Sequence, residues 1–437
     1  MAAVVGGGAL LVVGHPDMIG HTAPGGTADP RRGCGAPEKR AADRAPARQG
    51  GVVLPSITTP VDAGLLHGAL DSTPGPAGLV PHRLPPAARA RNTDPQLAGA
   101  ESQPSGVRVV FRTAATVVEL ETVRTRVGLA GAPLRPDGAY DLLVDGVPAG
   151  SAPTTGGRLH MIDPATGAAE TTDGPPGTVR FPLPGRSALV EIWLPHNEMT
   201  EVVALRTDAP VTAVPAGDRP VWLHHGSSIS QGSNAAGAST TWPALAARSA
   251  GVELLNLGFS GACLLDPFVA RAIRDTPADL ISVKIGINVV GADLMRVRAF
   301  GPAVHGFLDT IRDGHPDTPL LVVSPVLCPI HEETPGPLAP DVTDGTLRFR
   351  ATGDPADVAA GRLTLQVVRE QLAGLVAARV PEDPNLGHLD GRELYGEADA
   401  TELPLPDRLH PDAATHERMG ERFARAVFGP GGAFAPV

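Results

Sequence analysis

The chain has 437 residues, 42% of them hydrophobic and 19% charged, which is enough material for sizeable globular cores in two domains. Its formal charge of −11, its sparse lysines (Lys39 and Lys284) and the lack of a basic cluster with interleaved aromatics argue against nucleic acid and anionic membrane surfaces as partners. Cys34, Cys263 and Cys328 lack CxxC spacing, which fits neither a disulfide framework nor a zinc site and suits a reducing compartment.

The run 1–13 is apolar and carries Gly6-Gly7-Gly8, but it lacks the Lys-Ser/Thr ending of a P-loop and the charged start and cleavage pattern of a secretory signal. It is also too short to span a bilayer as a helix, so a cytoplasmic location is the expectation. Residues 14–51 are dominated by Gly, Pro, Ala and Arg, and such a segment buries too little surface to offset its chain entropy. Residues 1–51 therefore read as a disordered extension.

Between 52 and 213 the hydrophobic period becomes two. The runs 107–113, 116–122, 140–145, 178–182 and 188–194 read as half-buried strands separated by turn chemistry such as Asp145-Gly146. No convincing helix intervenes, so this part is expected to be an all-β, jelly-roll-like sandwich. The Pro- and Ala-rich stretch 208–220 marks a domain boundary.

From 221 to 430 short apolar runs at 221–225, 252–257, 280–285, 319–326 and 386–390 alternate with helical stretches at 242–250, 293–312, 363–378 and 411–428. The second of these carries an expected break or kink at Gly301-Pro302. Alternation of this kind predicts a mostly parallel sheet covered on both faces.

The chemistry-bearing residues fall at strand ends of this second domain. The run 221–225 ends in Gly226-Ser227-Ser228, a small-residue turn that lifts the Ser228 hydroxyl into the crevice where open α/β sheets bind ligands. A serine hydroxyl needs a base to remove its proton, and an imidazole oriented by a carboxylate is the common solution. Asp407 and His410 supply that pair in one loop, and Pro411 after them suits the first position of a helix, which places His410 at the helix entrance. Acyl transfer also needs donors for the developing oxyanion. The backbone amide of Gly261 and the side chain of Asn288, each at a strand end, are suitable. Taken singly, each residue has a plainer reading: Ser228, His410 and Asn288 as caps, Asp407 and Gly261 as turn residues.

Taken in order, the blocks Gly226 to Ser230, Asn256 to Gly261, Gly286 to Asn288 and Asp407 to Pro411 resemble those of the GDSL-type, or SGNH, hydrolases. The resemblance implies a flavodoxin-like three-layer α/β/α domain. It implies Ser228 as nucleophile, His410 as base and then acid, and Asp407 as its orienting carboxylate, with the amides of Ser228 and Gly261 and the Asn288 side chain as the oxyanion hole. Ser227 and Val289 stand where the family usually has Asp; neither Asp belongs to the triad, so the chemistry that the resemblance implies survives both changes. The pairing of this domain with an N-terminal sandwich, and stretches such as 193–198, 275–284 and 389–396, are similar to two-domain GDSL-type enzymes. Some of those are carbohydrate esterases, and one branch comprises acyltransferases of tetracycline-type polyketide pathways.

The expected activity is therefore esterase chemistry through an acyl-serine on a small-molecule or carbohydrate ester, with no cofactor and no metal. The alternative acceptor is a hydroxyl of a natural product such as a polyketide, which makes the enzyme an acyltransferase. A second alternative is a glycan-binding protein with an inactive hydrolase domain. His196 and Asn197 follow a strand of the sandwich, where a loop could wall the pocket between domains. His331 lies in a loop on the active-site side and reads as exposed, with a substrate contact as the alternative. His224 and His225 point to opposite faces of a strand, which argues against joint metal ligation, and Trp242 reads as core.

Overall fold

The computed structural model describes residues 56–435 apart from 132, 164, 165, 216, 218 and 344, so the expected disordered extension at 1–51 lies outside the described residues. The N-terminal half is a pair of β-sheets, of eight and six strands. Their pairings are antiparallel except that Arg158–Ile162 runs parallel to Val117–Leu129. The expected alternation appears most cleanly in Gly177–Pro182, where Val179 and Phe181 are buried and Thr178 and Arg180 are not. These side chains meet Val109, Phe111 and Ile192 of the second sheet in one apolar core, so the two sheets form a sandwich.

Two helices interrupt the all-β pattern, Pro86–Arg89 and Pro95–Glu101. The second has a recognisable start, because Pro95 occupies its first turn and the Asp94 side chain accepts from Gln96 N. Both are too short for a 3.6-residue period to show. Their apolar side chains Ala88, Leu97 and Ala100, with Leu84 just ahead of the first helix, are packed in the core of the C-terminal half.

That half is built on five parallel strands, β1 Val221–Gly226, β2 Glu253–Gly258, β3 Leu280–Lys284, β4 Leu320–Val323 and β5 Leu386–Leu389. Their order is β2-β1-β3-β4-β5, the flavodoxin-like arrangement whose strand order reverses beside β1 and opens a crevice at the carboxyl ends. The helix Val297–Arg312 runs unbroken through Pro302. The expected break is absent because a proline in the second turn removes a single backbone bond, while Phe300, Val304, Phe307, Leu308 and Ile311 hold the buried face.

The scarce aromatics are concentrated where the C-terminal helix meets the sheet. Phe423 stacks on Trp222 at 5.1 Å between ring centroids, and Trp242 lies 5.1 Å from the same ring. Truncation of this fully buried ring is expected to cost about 3–5 kcal/mol, so Phe423→Ala should lower the urea midpoint markedly; a midpoint equal to wild type would show that the cluster does not hold the helix.

Candidate active site

Ser228 begins the short helix Ser228–Gln231, directly after β1. The preceding Ser227 caps it by accepting from Ile229 N, so a hydroxyl here can serve the turn without the family's usual carboxylate. Gly226 is required by close approach: a Cβ there would lie 2.3 Å from Ser230 Oγ. Its carbonyl accepts from Phe259 N at 2.8 Å, which ties the loop after β2 to the end of β1.

The structure brings three of the sequence-selected residues into one chain of hydrogen bonds. His410 Nε2 lies 3.0 Å from Ser228 Oγ, and His410 Nδ1 lies 2.7 Å from Asp407 Oδ2. The other oxygen, Asp407 Oδ1, accepts from the backbone amides of Leu409 at 2.9 Å and His410 at 2.7 Å. Burial pushes the Asp407 carboxyl up, but the bond and charge of His410 and these two amides outweigh it and hold the group at about 2. An ionised Asp407 accepts from Nδ1–H, which leaves the Nε2 lone pair facing the Ser228 hydroxyl. The serine and the imidazole are recessed, 5% and 6% exposed.

The expected helix entrance is placed differently. The helix is Ala413–Phe423, capped by Asp412, whose side chain accepts from Thr415 N. Pro411 therefore precedes the cap, because Asp412 offers a carboxylate to the free amides and proline at the first position offers only its fixed φ. His410 is held by the Asp407 turn instead.

Gly261 lies in the turn after β2, and Asn288 in the first turn of the short helix Ile287–Gly291 after β3. Gly261 has a left-handed backbone, φ +71°, and is exposed. Asn288 is the half-buried member of an otherwise buried run 281–290, and its Oδ1 accepts from Cys263 N at 3.2 Å. Its NH2 has no partner among the described residues.

The residues of uncertain role make other bonds, none of them to Ser228, His410 or Asp407 among the described residues. The Asn197 side chain turns toward the sandwich and donates to Pro136 O at 3.5 Å. His196 is buried between the halves; burial, with the charges of His416 and Arg135, pushes its imidazole down to about 3, and its carbonyl accepts from Gln231 Nε2 at 3.1 Å. His331 is fully buried, not exposed, because Nδ1 turns inward to Thr334 O at 3.1 Å and closes its own loop. His224 and His225 do point to opposite sides, His224 to Ser282 and Ser230, His225 to Leu257 O and Cys263. Trp242 is core. Among the described residues, no cluster of three or more His, Cys, Asp or Glu side chains has metal-site geometry, and no helix is long and apolar enough to cross a membrane.

Several residues around the triad carry no sequence signal of their own. Asn234, with φ +66°, donates from Nδ2 to Asp407 Oδ2 at 3.4 Å. Phe349, on the hairpin strand Thr346–Ala351, sets its ring edge-on to His410 at 5.7 Å and donates its amide to Asp407 O at 2.9 Å. Both are far in sequence from the Asp407 that they touch, so no local pattern announces the contacts.

Comparison with known proteins gives the same fold and family. Residues 219–328 match the GDSL-like lipase/acylhydrolase family. The solved structure of the salicylyl-acyltransferase SsfX3, from a tetracycline biosynthetic pathway, is similar at 30% identity and a TM-score of 0.65, covering 82% of this chain and 92% of that one. A protein described as a GDSL-like lipase from Bacteroides ovatus is similar at 20% identity and a TM-score of 0.58, covering 83% and 94%. Curated proteins return no significant match by sequence.

Proposed function

The chain belongs to the GDSL-like lipase/acylhydrolase family, and we propose that it moves acyl groups from an ester through a covalent acyl-Ser228 intermediate. The observation that carries this reading is the continuous relay Ser228–His410–Asp407, at 3.0 and 2.7 Å, at the carboxyl end of β1. Ser228 Oγ attacks the ester carbonyl while its proton passes to His410 Nε2. The oxyanion that forms is met by the amides of Ser228 and Gly261 and the free NH2 of Asn288. When the carbonyl re-forms, the ester C–O bond breaks and His410 returns its proton to the departing alcohol. His410 then takes a proton from the acceptor, whose oxygen attacks the acyl group; as the bond to Ser228 Oγ breaks, His410 passes that proton to Oγ and the free serine is restored.

Water as acceptor gives an esterase for a small-molecule or carbohydrate ester. A hydroxyl of a natural product gives an acyltransferase, and this second reading is favoured by the likeness to the salicylyl-acyltransferase over both halves of the chain. A glycan-binding protein with a decayed hydrolase half would not need the relay maintained. The test is intact-mass analysis after incubation with aryl esters of graded acyl length, with and without added alcohols. An acyl adduct mapping to Ser228 is expected. Faster product release with an alcohol, and ester formation on it, would identify transfer; no adduct and no turnover with any acyl chain would remove the acyl-enzyme reading.

Asn288→Ala is expected to lower kcat by roughly 10²–10³-fold with little change in KM, the usual effect of removing one oxyanion donor. Steady-state kinetics of that variant equal to wild type would take Asn288 out of the oxyanion site.

A further inference from the structure

Ser260 is gripped by amide side chains at both of its backbone groups, the N–H that it shares with the Phe259 peptide and the C=O that it shares with the Gly261 peptide. Ser260 N donates to Gln231 Oε1 at 2.8 Å, and Ser260 O accepts from Gln96 Nε2 at 2.8 Å. The carbonyl that Gln96 engages is conjugated with the Gly261 N–H, the donor assigned above to the oxyanion. A hydrogen bond to the carbonyl of a peptide polarises its N–H and fixes the peptide plane. We propose that Gln96, from the N-terminal half, is a positioning residue of the oxyanion site: it orients and polarises the Ser260–Gly261 peptide for acyl transfer. The inference rests on the acyl-Ser228 reading.

Gln96 is held as a positioning residue must be. Its helix is capped by Asp94, which accepts from Gln96 N at 3.0 Å, and Asn92 in turn accepts from Asp94 N at 2.9 Å. At the other end of the helix Arg83, fully buried, donates to Ala100 O while also donating to Asn256 O and Gly258 O at the end of β2. The same guanidinium sits 5.0 Å from the centre of the Phe259 ring. One side chain thus fastens the helix that carries Gln96 to the strand that leads into Ser260. The approach is also tight: a Cβ on Gly261 would come 3.1 Å from Gln96 Nε2.

The opposite grip leads back to the same half of the protein. Gln231 Nε2 donates to His196 O at 3.1 Å and to Gln103 Oε1. Ser105 Oγ donates to Gln231 O at 2.6 Å and accepts from Asn256 Nδ2 at 3.0 Å. Both restraints on Ser260, one on each of the peptides that flank it, therefore depend on residues of the sandwich half, which gives that half a part in the chemistry.

The test compares Gln96→Leu, which removes the donor, with Gln96→Lys, which keeps an N–H donor on a long side chain, in the full chain. The probe is an ethyl fluorophosphonate, which is independent of the acyl group the enzyme prefers: Ser228 Oγ bonds to phosphorus as the P–F bond breaks, fluoride leaves, and the proton passes to His410. Gln96→Leu is expected to lower the maximal labelling rate about tenfold, a fraction of what a whole oxyanion donor is worth, with the half-saturating concentration within twofold. The affinity of phenylboronic acid, which forms a tetrahedral adduct on Ser228, should weaken by the same factor, and Gln96→Lys should recover most of both losses. Gln96 is exposed, so unfolding midpoints should match wild type; were Leu to lower its midpoint, Gln96→Ala is read by the same criteria. Labelling and boronate affinity within twofold of wild type in the donor-less variant, or Lys as impaired as Leu, would overturn the positioning role alone. Failure of the wild type to label at Ser228 would overturn the acyl-enzyme reading, and this inference with it.

Discussion

Replacing Ser228 with alanine is expected to lower turnover of any ester the wild type accepts by about 10⁶-fold, the scale of losing the nucleophile of an intact relay. No neighbouring hydroxyl is placed to take over. Ser227 Oγ is held as the cap of Ile229 N, and Ser230 Oγ is fully buried and bonded to His224 Nε2 at 2.8 Å. Alanine suits the first turn of a helix, so the variant should keep its circular dichroism spectrum and its unfolding midpoint. A residual rate about 10³–10⁴ above water is expected, from the oxyanion donors and substrate binding that survive. Intact-mass spectra should show no acyl adduct in the variant. Turnover within tenfold of wild type would move the nucleophile elsewhere, and a protein whose role is only to bind glycans would be indifferent to the change.

What a sequence can show of such a site depends on how local the signal is. The strand Val221–Gly226 and its small-residue turn are written within ten residues, so the end of β1 and the placing of Ser228 there were legible. The alternation of strands and helices gave the parallel sheet, and the period-two runs gave a β-sheet domain ahead of it. Non-local packing was not legible. Nothing in Pro86–Arg89 or Pro95–Glu101 says that Ala88, Leu97 and Ala100 pack in the core of the other half, since burial is decided by a surface that forms more than a hundred residues later. An arginine is read as exposed by default, yet Arg83 is buried because three backbone carbonyls and the face of Phe259 surround its guanidinium. His331 reverses the same default through a single inward bond to Thr334 O. At Asp412 two local rules competed, and the carboxylate cap prevailed over the proline start.

Asp407→Asn is expected to lower kcat by about 10⁴-fold while leaving the loop in place. The amide oxygen of asparagine can still accept from Leu409 N and His410 N, as Asp407 Oδ1 does at 2.9 and 2.7 Å. What it cannot supply is a second acceptor for His410 Nδ1–H, now 2.7 Å from Oδ2. The imidazole then turns its N–H toward Ser228 and its lone pair toward the amide NH2, and the base that Ser228 requires is lost. The acid dependence of stability separates this variant from a general loss of fold. The Asp407 carboxyl is held at about 2, below its ordinary 3.8. A carboxyl held low stabilises the folded state at every pH above its unfolded value and loses that contribution as pH falls through its folded value. The variant lacks that contribution, so its urea midpoint should lie below wild type at pH 6 and the gap should narrow between about pH 4 and pH 2. A gap that stays constant down to pH 2 would mean that the native contacts do not stabilise the charged form of Asp407. Full activity in the variant would defeat the relay itself, because an imidazole with a donor on both sides has no lone pair to offer Ser228.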